Sequence, residues 1–200
     1  RVDIFNLEWI EEFEQLQCNV KPIVSADINQ LIEVQLGQPV GNVFKYIDAT
    51  PIGSASIAQV HKAELISGET VAVKIKRPNI DPTIHADLRI LTHLAGLIES
   101  EIPESRRYQP VQMVQYFARS LAKETDLSVE LRYMQRFENA FRDHDFIHIP
   151  KVYSEFSNRQ MLVQEFVAGN LLQSTDLNAL PESMRRQLSL SITDTLFTMI

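Results

Sequence analysis

A lysine stands inside an apolar run, Val71-Ala72-Val73-Lys74-Ile75-Lys76, shortly after the small-residue stretch PIGSASIAQV at residues 51–60. Further along comes an acidic segment, Glu124-Thr125-Asp126-Leu127-Ser128-Val129-Glu130. A small-residue loop followed by a strand lysine suits the holding of phosphate. Backbone N–H groups can approach the anion where side chains are small, and an ammonium neutralises it. Such loops are normally glycine-rich, because each Cβ restricts both close approach and bending. This one has Gly53, then Ser54, Ala55 and Ser56. The last two stiffen it, while Gly53 restores one free position and the serine hydroxyls add donors. Phosphate held in an altered posture is the expectation.

Strand neighbours alternate faces, so Ala72, Lys74 and Lys76 fall on one side and Val71, Val73 and Ile75 on the other. A lysine on a central strand needs a partner or a ligand, since an unpaired buried ammonium is costly. At a sheet edge it could instead reach solvent. Candidate partners are Glu124 and Glu130, although by number alone the acidic segment reads as a solvated face. Six residues apart on one helix, these two do not share a face, so at most one can meet Lys74. A second constellation, His144 and His148 around Asp145, could suggest a metal site. It has no third ligand nearby in sequence and sits where a helix-to-strand loop is expected.

The chain has 200 residues, 44% hydrophobic and 22% charged, enough for a sizeable core. A net charge of -7 and a pI near 5.3 argue against nucleic acid as the main partner. The single cysteine, Cys18, cannot form an internal disulfide and reads as a small buried apolar residue. No run approaches the length of a membrane span and no signal-peptide layout opens the chain, so an intracellular protein, cytoplasmic or peripheral to a membrane, is expected. Both ends read as cut: the first residue is Arg1, and the last apolar stripe, Leu188, Ile192, Leu196 and Ile200, has no stop signal after it.

Periodicity supplies the elements that would position these groups. Asn6 can cap a helix with Trp9, Ile10, Phe13 and Leu16 on one face, and Ser25 a second with Ile28, Leu31, Ile32 and Leu36, ended by Gly37. Residues 1–41 thus form a helical extension. Short β-rich runs follow: NVFKYIDA, SIAQVHKAEL and TVAVKIKR, the last two joined by a turn at Ser67-Gly68-Glu69. Asp81, as cap, and Pro82, in the first turn, start a helix carrying Ile84, Leu88, Leu91, Leu94 and Ile98. A break at ESEIPESRRYQP precedes a long helix from Val111 to about Arg142, with Val114, Phe117, Leu121, Leu131, Met134, Phe137 and Phe141 inward. KVYSEF and MLVQEFV read as two further strands joined at Ser157-Asn158-Arg159, and Pro181 opens a last helix. The expected class is α+β, a five-stranded antiparallel sheet with helices inserted between its third and fourth strands.

In this order and with these gaps, PIGSASIAQVHKAEL, VAVKIKRP, ETDLSVE and MLVQEFVAGN resemble the UbiB/AarF family of atypical protein-kinase-like proteins. There an alanine-rich loop followed by IAQVH, here with Gln59, replaces the glycine-rich loop. The resemblance covers residues 42–170 and implies a kinase-like small lobe at 42–168, with 169–200 opening an incomplete large helical lobe. It implies that Lys74 meets the α- and β-phosphates and pairs with Glu130. Gly53, Ser54, Ala55, Ser56, Val60 and Ala72 would surround the nucleotide. Gln164 would be the gatekeeper, and the backbone of Glu165 and Val167 would meet the adenine edge. Glu124 and Asp126 fall on the family's E-x-D motif, implied to pack the N-terminal extension over the site; Thr125 stands where leucine is usual.

The resemblance further implies ATP or ADP with magnesium as cofactor, and support of isoprenoid-quinone or other lipid metabolism, often at a membrane through parts outside this segment. A lipid or quinone precursor is the implied substrate. The family's K-x-G-Q motif would lie before Arg1. Its catalytic-loop Asp and metal-binding Asp would lie beyond Ile200, so no metal ligand is expected in this segment and the fragment is expected to be inactive alone. The alternative is a non-catalytic pseudokinase module for docking or nucleotide sensing.

Overall fold

The computed structural model describes residues 6, 9, 23, 25–144, 146–169 and 179–198, with side chains of the first long helix from Ile28 onward. The helix expected over Trp9 to Leu16, Cys18, Asp145 and Ile200 lie outside them, apart from Trp9 itself, which is exposed.

Helix α1, Ser25–Leu36, follows from its apolar spacing: Ile28 and Ile32 are completely buried. It stops at Gly37, whose φ of 66° is the left-handed conformation glycine adopts freely, and whose N–H donates to the Glu33 carbonyl at 2.9 Å. Strands β1 (Phe44–Ile47), β2 (Gly53–Ser54), β3 (Ala58–Leu65) and β4 (Thr70–Lys76) form a meander, with β5 (Met161–Glu165) antiparallel to β4. The order is β1-β3-β4-β5, with β2 also on β3. β1 and β2 are one edge strand interrupted at residues 48–52, since they pair with successive parts of β3.

The register sorts the sheet into two faces. Val60 lies opposite Lys74, Lys62 opposite Ala72, and Ala72 opposite Gln164. One face therefore carries Ala58, Val60, Lys62, Ala72, Lys74, Lys76, Leu162 and Gln164. The other carries Ala63, Leu65, Val71, Val73, Ile75, Met161 and Val163, which pack with Ile28, Ile32, Val43, Phe44 and Tyr153 into the main core.

Three helices lie between β4 and β5: α2 (Ile80–Glu101), α3 (Pro110–Glu124) and α4 (Leu127–Ala140). A last helix, α5, spans Glu182–Thr198. The α+β class and the five-stranded antiparallel sheet stand as expected, but several elements differ.

KVYSEF is not a strand. Val152 makes a single bridge to Gln164, and Ser154–Phe156 turn into a 3-10 helix. The Ser157 hydroxyl accepts from Val163 N–H and donates to the Tyr153 carbonyl, replacing the ladder bonds a strand would make. The fifth strand is instead Gly53–Ser54, within the small-residue loop.

The long helix is also two, because Asp126 leaves the helical conformation and caps α4 by accepting from Ser128 N–H at 3.0 Å. Asp81 does not cap α2. Asn79, at φ 60°, occupies that position without a side-chain bond, and Asp81 turns to Lys76 instead. Finally, the apolar residues at helical spacing on α2 are largely exposed at Leu91, Leu94 and Ile98, and the stripe expected to be inward on α3 is exposed at Phe117. The two helices pair with each other and only Ala95 of α2 is buried.

Candidate functional site

β4 brings Lys74 and α4 brings Glu130 to one place: Lys74 Nζ donates to Glu130 Oε2 at 2.7 Å. The side chains are 32% and 41% exposed, so water reaches the pair. Burial of Leu127 and Leu162, with Leu131 and Met134 against them, sets α4 on this face of the sheet. The first turn of α4 is also tied to the turn before β5, since Leu127 N–H donates to the Arg159 carbonyl at 3.1 Å and Arg159 Nε reaches Asp126 Oδ2 at 3.1 Å.

The break between α3 and α4 changes the acidic segment. Glu124, Asp126 and Glu130 all line one open hollow with Lys74, Lys123, Tyr133 and Met134, of about 580 Å³. Of the three acids only Glu130 bonds Lys74. Burial disfavours the Asp126 carboxylate, but the hydroxyl and amide of Ser128 and the guanidiniums of Arg159 and Arg132 outweigh it and hold its carboxyl below the usual range.

The small-residue loop closes as a tight hairpin. Ala55 N–H donates to the Ala58 carbonyl at 2.9 Å, and the N–H groups of Ser56 and Ile57 make no bond among the described residues. Ser54 lies opposite Gln59 and so shares the face away from Lys74. Its hydroxyl accepts from Arg77 at 2.8 Å, so it is not turned to the side where it was expected to donate to phosphate. Gly53 is extended, and a Cβ there would meet nothing within 4 Å. Gly53→Ala is accordingly expected to leave the melting temperature within about 1 °C, as a substitution away from packed features does; calorimetric melting checks it.

Val60 and Ala72 lie on the Lys74 face, Ala72 almost wholly buried and Val60 partly exposed. Gln164 is on the same face, and Val167, beyond β5, is half exposed. The Glu165 side chain accepts from His148 Nε2 at 2.9 Å and Lys151 N–H at 3.1 Å, and these bonds hold its carboxyl below the usual range. His144 packs against Phe141. Among the described residues no group of His, Cys, Asp and Glu is placed to hold a metal, and no helix is long and apolar enough to cross a membrane.

Two arrangements were not legible in the sequence as site features. Lys76, only 4% exposed, forms an ion pair with Asp81, which also accepts from Gln160 Nε2. The other is a buried polar chain. His61 Nδ1–H donates to the Asp48 carbonyl at 2.7 Å, Gln59 Nε2–H donates to His61 Nε2 at 2.8 Å, and Gln59 Oε1 accepts from Ile23 N–H at 2.8 Å. A carbonyl can only accept, which fixes the His61 tautomer.

These carboxylates predict an acid limit. Burial opposes ionisation of Asp81, yet its bonds to Lys76 and Gln160 and the nearby charges lower it on balance, as for Asp126 and Glu165. Groups lowered in the fold stabilise it fully above their unfolded values and lose that contribution as pH falls through the folded ones. Denaturant midpoints are expected to be flat from neutral pH down to about 5 and to fall below about 4, near the ordinary carboxylate range.

The family model for the ABC1 atypical kinase-like domain matches residues 15–200. The chain belongs to the ABC1 atypical kinase-like family. Among curated relatives of this ABC1 chain, the "Probable protein kinase UbiB" of Shewanella loihica is 37% identical over 170 residues, 84% of this chain and 31% of that protein. That of Vibrio cholerae is 35% identical over 181 residues, 90% of this chain and 33% of that protein. The ABC1 chain thus spans about a third of the length of these relatives. Among solved structures, Rv3197 from Mycobacterium tuberculosis, in complex with erythromycin, is similar with a TM-score of 0.64 at 28% identity, covering 84% of this chain and 41% of that one.

Proposed function

We propose that this chain is the nucleotide-holding part of an ATP-dependent kinase or ATPase of the UbiB type. The observation that carries the proposal is the Lys74–Glu130 pair, formed between a sheet strand and the helix packed on it, on the strand that pairs with the arm leaving a small-residue hairpin whose Ser56 and Ile57 amides make no bond among the described residues. In kinase-like catalysis such a pair holds a lysine ready for the α- and β-phosphates. Lys74 would neutralise phosphate, Ser56 and Ile57 N–H would donate to it, and Ala58, Val60 and Ala72 would give the base an apolar wall. Gln164, Glu165 and Val167 would border the adenine. ATP supplies the transferable phosphoryl group when bound, with magnesium held by residues outside 1–200. On this proposal residues 42–168 are the small lobe and 169–200 the start of the large one. The phosphoryl acceptor is a lipid or quinone precursor or water, at a membrane reached through other parts of the protein.

Calorimetric titration of ATP and ADP, with and without magnesium, into a protein of the full length of its relatives tests the proposal. Micromolar to millimolar binding that falls away in Lys74→Ala is the expected result. A folded protein that binds neither nucleotide would overturn it and leave a docking module as the better account.

A further inference from the structure

Arg77 follows the buried Lys76 and opens no element, yet three of its groups reach the small-residue hairpin. Its N–H donates to the Ile57 carbonyl at 2.9 Å, its Nε to the Ala55 carbonyl at 2.8 Å, and its Nη2 to the Ser54 hydroxyl at 2.8 Å. One residue at the end of β4 therefore holds three of four successive residues of the loop.

The direction of these bonds matters. In a trans peptide the C=O of one residue and the N–H of the next point to opposite sides. Drawing the Ala55 carbonyl toward Arg77 turns the Ser56 N–H away from it. Ser54, which shares the Arg77 bond, is on the sheet face opposite Lys74. The Ser56 N–H is thereby turned away from the Arg77 guanidinium, and it has no partner among the described residues. A glycine-rich loop is free to close over its ligand; this loop has lost that freedom and is held from behind by a fork of donors.

We propose that Arg77 is a positioning residue for phosphate, fixing the Ser54–Ile57 hairpin so that the Ser56 amide faces the anion that Lys74 meets. The proposal rests on the nucleotide reading above, and goes beyond it in assigning the loop's posture to a residue on the far face. Lysine cannot replace the arginine, since a single ammonium head lacks the planar fork that spans a carbonyl and a hydroxyl.

The test compares wild type, Arg77→Ala and Arg77→Lys in a protein of the full length of its relatives. Each is titrated with ATP and with adenosine, and amide hydrogen exchange is followed over residues 53–58 without nucleotide. Loss of two side-chain bonds is expected to weaken ATP by about tenfold in Arg77→Ala, with Arg77→Lys closer to alanine than to wild type, while adenosine affinity stays within about twofold. Loop amides are expected to exchange about tenfold faster in Arg77→Ala. Equal weakening of ATP and adenosine, or unchanged ATP affinity, would overturn the positioning role while leaving nucleotide binding intact. Unchanged loop exchange would overturn it whatever the nucleotide data show. A wild type that binds no ATP would instead remove the nucleotide reading and this assignment with it.

Discussion

Lys74→Met is expected to bind ATP roughly thirty- to a hundredfold more weakly than wild type while unfolding within about 1 kcal/mol of it. The two halves of that expectation have different origins. The Lys74–Glu130 pair is about one-third exposed at the lysine and about two-fifths at the glutamate, so in the free protein it is a solvated ion pair. Exposed pairs contribute about 0–1 kcal/mol, and the methionine stem keeps most of the packing. Facing phosphate the ammonium makes charge-assisted bonds, each worth about 1.5–3 kcal/mol. Glu130→Gln is expected to weaken ATP by a smaller factor, about fivefold, since Lys74 keeps its charge and loses only its partner. Equal ATP affinity in wild type and Lys74→Met would sink the expectation, as would a Lys74→Met protein that no longer melts cooperatively.

The second large effect lies on the opposite face of the sheet. Gln59→Leu is expected to lower stability by about 2–4 kcal/mol, because it leaves the acceptor nitrogen of His61 buried without a partner and removes the acceptor of the half-buried Ile23 N–H. For a chain of this size that is roughly a 5–12 °C fall in melting temperature. Gln59 is wholly buried, as is His61, and the His61 Nδ1–H answers the Asp48 carbonyl left over where the edge strand is interrupted. The chain ties that interruption to the main chain entering α1. Thermal melting of Gln59→Leu against wild type decides the point, and a loss under about 1 kcal/mol would mean that water takes the vacated places.

Those two residues also show what the sequence discloses and what it withholds. Lys74 and Glu130 were legible as partners only through the family resemblance, because strand alternation shows which face a lysine occupies but not which helix covers it. Gln59 was legible as part of a motif, and its bonds were not: they join residues 23, 48, 59 and 61, which no local period relates. The two-strand hairpin at Gly68 followed from turn chemistry. By contrast Asp126 hid a helix break, since an acid in a helical pattern reads equally well as a surface residue or as a cap. KVYSEF has the composition of a strand, and a serine hydroxyl that bonds its own backbone overrode it. Arg77 was legible only as a member of VAVKIKRP and not by its role, because its bonds run to a loop that precedes it by two strands.

The insertion of α2, α3 and α4 between β4 and β5 bears on the order of assembly. β1 to β4 pair with near neighbours along the chain, so their loops close at little entropic cost. β5 must wait until the whole insert has been traversed, and its pairing completes the core through Met161 and Val163. In refolding, protection of β3 and β4 amides is therefore expected to precede that of β5. The Lys74 side of the sheet gains Glu130 only when that late closure brings the turn at Arg159 against the first residue of α4. On the nucleotide reading proposed above, competence to hold a ligand thus arrives last, as a product of completed folding rather than of the hairpin that carries the lysine.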